Sequence, residues 1–244
     1  MEASCRRALD LGLGAIAFTE HADFVQVFAD QRRLDPKGYL EAVERCRAAF
    51  PGLRILSGVE LGEPHLFLDA TNELLATGSF DRVVGSIHCV NGDSGFHDMS
   101  QPAAWAGDRG ELLRNYFGQT LLLLKSEVPF KVLAHVDYFK RYWPVQEGRF
   151  DEVAFEEEYR AVLSEAARRE TVLEVNTTRG AEPHRGLCPG PIVLGWWRDV
   201  GGRAVAFGSD AHDPAKVAAG FAFAAGVVEA CGFRPADDEG FWRR

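Results

Sequence analysis

The feature that most constrains this chain is a junction that recurs along its length. Short apolar runs each end in a histidine, a carboxylate or an asparagine. Ala15-Ile16-Ala17-Phe18 runs into Thr19-Glu20-His21-Ala22-Asp23, and the run from Leu53 to Val59 delivers Glu60. Arg82 to Ile87 delivers His88, and Val132 to Ala134 delivers His135 and then Asp137. Val172 to Val175 delivers Asn176, and Ala204 to Phe207 leads through Gly208-Ser209 to Asp210-Ala211-His212. Apolar runs of this length bounded by turn residues read as buried strands.

Helical segments separate the runs. Residues 2–11 read as a helix with Ala8 and Leu11 on one side, stopped by Gly12 and Gly14. Asp35-Pro36 opens a second helix, carrying Leu40, Val43, Arg47 and Phe50, and Pro51-Gly52 stops it. Further helices are expected over 69–77, 110–126, 152–170, from Pro191 through Trp196-Trp197, and over 214–230. In the 152–170 helix, Val153, Tyr159, Val162, Leu163 and Ala166 form the expected buried side. Residues 91–108 read as a polar loop, and the tail from Phe233 as irregular. No linker, repeat or low-complexity tract interrupts the alternation, so one domain over 1–244 is the economical reading.

Short strands alternating with helices imply α/β architecture, with a parallel sheet covered on both faces. In a β/α barrel all strand ends converge on one rim, where active sites lie. In an open sheet they would spread along an edge. Polar residues after every strand therefore favour a closed or nearly closed barrel.

Composition removes several classes of function. No apolar run reaches the length of a membrane span. The formal net charge is −9 and no basic, aromatic-laced strip is present, which argues against a nucleic-acid partner. The five cysteines are scattered and form no C-x-x-C, which fits a reducing, cytoplasmic setting better than a disulfide framework.

What remains on the rim is His21, Glu60, His88, His135, Asn176, Asp210 and His212. Four of the seven histidines are in this set. One strand-end histidine is ordinary; several imidazoles with carboxylates on one rim suit borderline divalent metals. Glu60 has two oxygens and can bridge two ions, while Asp23 and Asp137 are candidate acceptors for imidazole N–H groups. Paired metals activate water and stabilise attacking and leaving oxygens, which points to hydrolysis. No phosphate-cradling glycine loop and no G-x-S-x-G elbow is present.

In order along the chain, Thr19-Glu20-His21-Ala22-Asp23, Gly58-Val59-Glu60, Gly85-Ser86-Ile87-His88, Leu133-Ala134-His135-Val136-Asp137, Glu174-Val175-Asn176 and Gly208-Ser209-Asp210-Ala211-His212 resemble the PHP (polymerase and histidinol phosphatase) superfamily. Within it they are most similar to the monofunctional histidinol-phosphate phosphatases. The resemblance implies a distorted (β/α)7 barrel of TIM-like type and two to three divalent ions, commonly zinc, with manganese or iron also used. It implies that Glu60 bridges two metals, that Asp210 ligates the first, that His88 and His135 complete the second, and that His21 and His212 ligate the third. Asp210, Glu60 and His212 are then the expected catalytic residues. The expected reaction is in-line attack of an activated water on L-histidinol phosphate, in histidine biosynthesis. Asp210 or a held water would protonate the leaving alkoxide.

Phosphate oxygens call for further cations. Arg141 and Arg179 follow the fourth and fifth strands and, with Asn176, are candidates to bind phosphate; spacing alone leaves an ordinary surface role open for either arginine. His97 and His184 read better as loop histidines, and His65 has only its place shortly after Glu60. Trp105, Tyr142 and Trp143 are candidates to stack on an imidazole, or to pack in the core.

One departure from the family is large. Its opening H-x-H motif, at the end of the first strand, has no counterpart here, and six strands are visible where seven are expected. The expectation is that Met1 is an internal methionine, with roughly 20 residues upstream, enough for one strand and its loop. Without that strand the barrel should have an open seam, the first metal should keep only Glu60 and Asp210, and activity should be weak. The competing readings are a phosphoesterase for another small phosphate ester or oligonucleotide end, and an inactive metal-binding relative.

Overall fold

The computed structural model describes residues 1–25, 34–92, 95–236 and 240–244. The expected alternation is present. It comprises α1 (Glu2–Asp10), β1 (Ala15–Asp23), α2 (Pro36–Ala49), β2 (Arg54–Gly62), α3 (Leu68–Leu75), β3 (Arg82–Ser86), β4 (Cys89–Gly92), β5 (Gly95–Asp98), α4 (Arg109–Lys125), β6 (Val132–Leu133), α5 (Glu156–Arg168), β7 (Val172–Asn176), α6 (Pro191–Asp199), β8 (Ala204–Gly208), α7 (Phe221–Ala230), β9 (Arg234–Pro235) and β10 (Trp242–Arg243).

The main sheet runs β1-β2-β3-β6-β7-β8-β10-β9. Its first six strands are parallel, and β10 adds antiparallel to the start of β8 through Trp242↔Val205 and Arg243↔Ala204. β1 and β2 pair over nine positions, from Ala15↔Arg54 to Asp23↔Gly62, so His21 lies opposite Glu60. Among the described residues no strand joins β1 to β8. The sheet curls as a TIM-like barrel does but stays open there, around a groove of about 630 Å³ that reaches His21, Glu60, Asp210 and His212. The parallel strands end on one rim, as the sequence implied.

The helices form where caps and periodicity agree. The Asp35 carboxylate accepts from the Gly38 N–H with Pro36 next in line, and Asp108 caps α4 through the Glu111 N–H. α4 and α5 cover β6 and β7 with Leu113, Phe117, Tyr159, Val162 and Leu163, all buried. Val84, Val132, Ala134, Val172, Ala206 and Phe241 belong to a separate buried cluster.

Several local expectations change. In α1 the buried pair is Cys5 and Ala8, while Leu11 is 41% exposed. The segment 152–170 begins as a 3₁₀ turn over Glu152–Phe155, which turns Val153 outward at 56% exposure. The segment 214–230 is broken: a 3₁₀ turn (Pro214–Lys216) precedes left-handed Ala218 and Gly220, and the helix starts only at Phe221. The polar stretch 91–108 contains the second strand of a β4–β5 hairpin and a 3₁₀ turn at Pro102–Trp105; residues 93–94 lie outside the described residues. The tail supplies β9 and β10. All five cysteines are free and buried, and no described helix is long and apolar enough to cross a membrane.

Candidate metal centre

Glu60 is the hub of the rim. It is the seventh residue of β2, 8% exposed, and its Oε1 lies 3.0 Å from His88 Nε2 and 3.0 Å from His135 Nε2. Its Oε2 lies 3.8 Å from His21 Nδ1. The ring centroids of His88 are 5.3 Å from those of both His21 and His135. Burial opposes ionisation of Glu60, but His21, His135 and His88 outweigh it and hold the carboxyl well below the usual range.

Asp23, at the end of β1, orients two of these rings. Its Oδ1 is 2.7 Å from His88 Nδ1 and its Oδ2 is 3.4 Å from His21 Nδ1. Burial opposes its charge, yet His88 and His21 hold its carboxyl far below the usual range. The same pairs act on the imidazoles: burial disfavours the His88 cation, but Asp23 and Glu60 raise its pKa well above the ordinary value. His21 is raised as well, Glu60 and Asp23 outweighing its burial.

On the groove side, Asp210 follows β8 with a left-handed backbone (φ 47°) that swings its carboxylate back over the rim. Arg141 donates to Asp210 Oδ2 and, at 2.7 Å, to Thr178 Oγ1; its guanidinium also lies 5.4 Å from the Tyr138 ring centre. Asn176 Nδ2 donates to the same Asp210 oxygen at 3.4 Å. Burial opposes the Asp210 charge but Arg141 dominates, so the carboxyl is held below its ordinary value. His212 is exposed; its Nδ1 is 3.0 Å from the Asp210 carbonyl and its ring is 5.7 Å from that of His21.

These donors fit divalent ions. His21, Glu60 and His88 each offer a ligand atom within 4.8 Å of the others, and so do His21, Asp210 and His212. Among the described residues, the buried Nδ1 of His135 has no hydrogen-bond partner, and that of His21 has only the loose carboxylate contacts to Asp23 and Glu60, which leaves imidazole nitrogens available beside a carboxylate-rich centre. The expected set His21, Glu60, His88, His135, Asp210 and His212 is thus gathered on one rim, with Arg141 and Asn176 beside it.

Other candidates go elsewhere. Arg179 pairs with Glu182 in its own loop at 2.8 Å and is not drawn into the centre. Asp137 turns away from the imidazoles to Lys140 (3.2 Å) and the Tyr159 hydroxyl (3.2 Å), because Lys140 is buried and needs its charge met. His65 meets Gln119 at 3.0 Å, and His184 is exposed. Trp105 and Trp143 pack edge-to-face on each other, and Trp143 continues onto Phe150, so both serve the packing under the rim. Sequence reasoning passed over Tyr138, whose ring lies 5.0 Å from His88 and 4.8 Å from His135, and two acids, buried Glu63 and half-buried Glu174. Burial raises both acids, Glu63 to about 7. Glu174 stood inside a quoted motif; Glu63 carried no signal.

The chain is similar to several known proteins. The chain is 28% identical over 235 residues, 93% of its length and 88% of the relative's, to a Clostridium acetobutylicum protein named "Probable histidinol-phosphatase". It is 26% identical to the histidinol-phosphatase of Lactococcus lactis over 84% of this chain and 75% of that one. The crystal structure of the Lactococcus lactis histidinol phosphate phosphatase, solved with zinc, L-histidinol and phosphate, superposes with a TM-score of 0.79 at 22% identity, covering 94% of this chain and 86% of that one. Residues 1–178 match the PHP domain, and the chain belongs to the PHP domain family.

Proposed function

We propose that the chain is a metal-dependent phosphomonoesterase whose substrate is L-histidinol phosphate, released as L-histidinol and inorganic phosphate. The observation that carries the reading is Glu60, one carboxylate reached by two buried imidazoles and faced by a third, on the same groove as Asp210 with its Arg141 partner. The names borne by relatives aligned over most of their length supply the substrate.

In this reading Glu60, His21, His88, His135, Asp210 and His212 hold two to three divalent ions. Zinc is the first choice, since the Lactococcus lactis relative was solved with it; manganese or iron suits the same donors. Bound metals would supply Lewis acidity and an activated water. The protein's own groups do the rest. Arg141 Nη2 is held by both Thr178 and Asp210, and the other donors of its fork are offered to the phosphate oxygens. Asn176 adds an amide donor on the same side. Asp23 fixes the tautomer and orientation of His88. The Arg141 pair keeps Asp210 ionised, which suits a ligand better than a proton donor. Arg179 remains a candidate only if its loop turns inward.

The test is phosphate release from L-histidinol phosphate by the zinc- or manganese-loaded protein, beside other small phosphate esters and 5′- and 3′-phosphorylated oligonucleotides. Preference for histidinol phosphate is expected. Equal or better turnover of the other esters would overturn the substrate assignment and leave the hydrolase.

A further inference from the structure

His88 and His135 occupy matching places. Each stands two residues beyond the end of its strand, Ser86 for β3 and Leu133 for β6, where the ladder has stopped. A backbone N–H there has lost its strand partner and still needs an acceptor once buried. In both cases the acceptor is a glutamate from the neighbouring strand, fully buried for Glu63 and half-buried for Glu174.

Glu63 directly follows β2 and is fully buried. Its Oε1 accepts the N–H of His88 and, at 2.7 Å, that of Cys89. Its backbone is left-handed (φ 46°), a region disfavoured for a residue with a Cβ. Glycine would adopt that backbone without strain but has no side chain to reach the His88 turn. Glu174, in β7, accepts the His135 N–H through Oε2 at 2.8 Å. Room for it comes from Gly208, where a Cβ would lie 1.9 Å from Glu174 Oε1. The far side of each histidine is also fixed: the His88 carbonyl accepts from Met99 N (3.0 Å), and the His135 carbonyl from Tyr138 N (2.7 Å). With both backbones clamped, both Nε2 atoms arrive 3.0 Å from the same Glu60 oxygen.

We propose that Glu63 and Glu174 are a matched pair of positioning residues, which hold the backbone N–H groups of His88 and His135 and so aim both imidazoles at the site that Glu60 shares between them. The inference rests on the reading of Glu60 and these histidines as metal ligands. Each glutamate acts through one named histidine.

The experiment is zinc affinity of the whole protein, measured by competition with a chromophoric chelator. E63M and E174M remove the acceptor at similar length, and each should weaken zinc by about 10–100-fold. E63Q and E174Q should recover most of the loss, because an amide oxygen accepts the same N–H. The pairing is read in double variants. E63M should cost little more once H88A is present and its full amount when H135A is present; E174M should show the reverse. Equal losses in both backgrounds would mean a general packing role and overturn the proposal. If the methionine variants do not fold, E63D and E174D replace them, read by the visible spectrum of bound cobalt. A spectrum identical to wild type would also overturn it. Wild-type protein that binds no zinc would instead sink the metal-centre reading, a result distinct from loss of the pairing.

Discussion

Gly62 and Asp23 face each other across the β1–β2 ladder, and the missing side chain of Gly62 is the space that the Asp23 carboxylate fills. A Cβ on Gly62 would lie 2.0 Å from Asp23 Oδ1 and 3.3 Å from His88 Nδ1. The glycine thus connects the strand register to the orientation of a candidate ligand.

Replacing it tests that connection. G62A should push Asp23 off His88 and destabilise the fold by about 1–3 kcal/mol, as overpacking of a filled site does. Chemical denaturation and zinc titration read the two effects. Unchanged zinc affinity in a folded G62A protein would show that the Asp23–His88 contact does not govern the centre.

Removing the hub should be more severe than removing any spoke. E60A leaves His88 and His135 without the carboxylate oxygen that their Nε2 atoms share. Loss of several kcal/mol of metal-derived transition-state stabilisation predicts a fall of about 10²-fold or more in kcat. Steady-state kinetics with metal analysis of the purified variant checks it. Full activity in E60A would remove Glu60 from the mechanism.

Arg141 should act on substrate binding. R141M deletes a charged donor and leaves Asp210 with only the Asn176 amide and His212 beside it among the described residues, while R141K keeps the charge but loses the fork. Hydrogen bonds to charged groups contribute about 1.5–3 kcal/mol, so KM for the phosphate ester should rise about 10–100-fold in R141M. Inhibition by inorganic phosphate should weaken in parallel. A change confined to kcat, with phosphate inhibition intact, would place Arg141 away from the phosphate.

The centre should bind zinc more tightly as pH rises. In the metal-free protein Asp23 and Glu60 outweigh burial and raise His88 above its ordinary 6.5, and His21 is raised too. Such groups contribute stability that is fully present below the unfolded pKa and is lost as pH rises through the folded one. Metal-free protein should therefore lose this contribution on the alkaline side, whereas zinc must displace the same protons. Apparent zinc affinity should climb by up to about tenfold per pH unit for each proton released. Calorimetry in buffers of different ionisation heat counts those protons, and zero release at neutral pH is the contrary result.

Behind the rim, Lys140 is 2% exposed and bonds to Glu152 (2.8 Å), Asp137 (3.2 Å) and the Leu187 carbonyl (3.1 Å). K140M would strand two buried carboxyl groups, and breaking a buried pair from one side costs about 3–5 kcal/mol. The thermal midpoint should fall accordingly. A midpoint within a degree or so of wild type would show that water or protonation compensates the two acids.

The amino-acid sequence by itself determined the alternation of strands and helices and the residues that end each strand. Hydrophobic period and helix caps act within a few residues, and that is why β1, β2, β3, β7 and β8 and the rim positions of His21, Glu60, His88, His135, Asp210 and His212 could be read locally. Side-chain direction was decided only by the tertiary structure. Asp137, two residues after His135, looks as suited to an imidazole as Asp23, two after His21; buried Lys140 claims one and His88 the other. Arg141 and Arg179 read alike in sequence, yet Asp210 holds the first and Glu182 the second. Glu63 gained its place from a backbone N–H 25 residues away, whose strand ladder had ended. Burial sets such choices, because a polar group removed from water takes whichever partner the packed chain brings within reach.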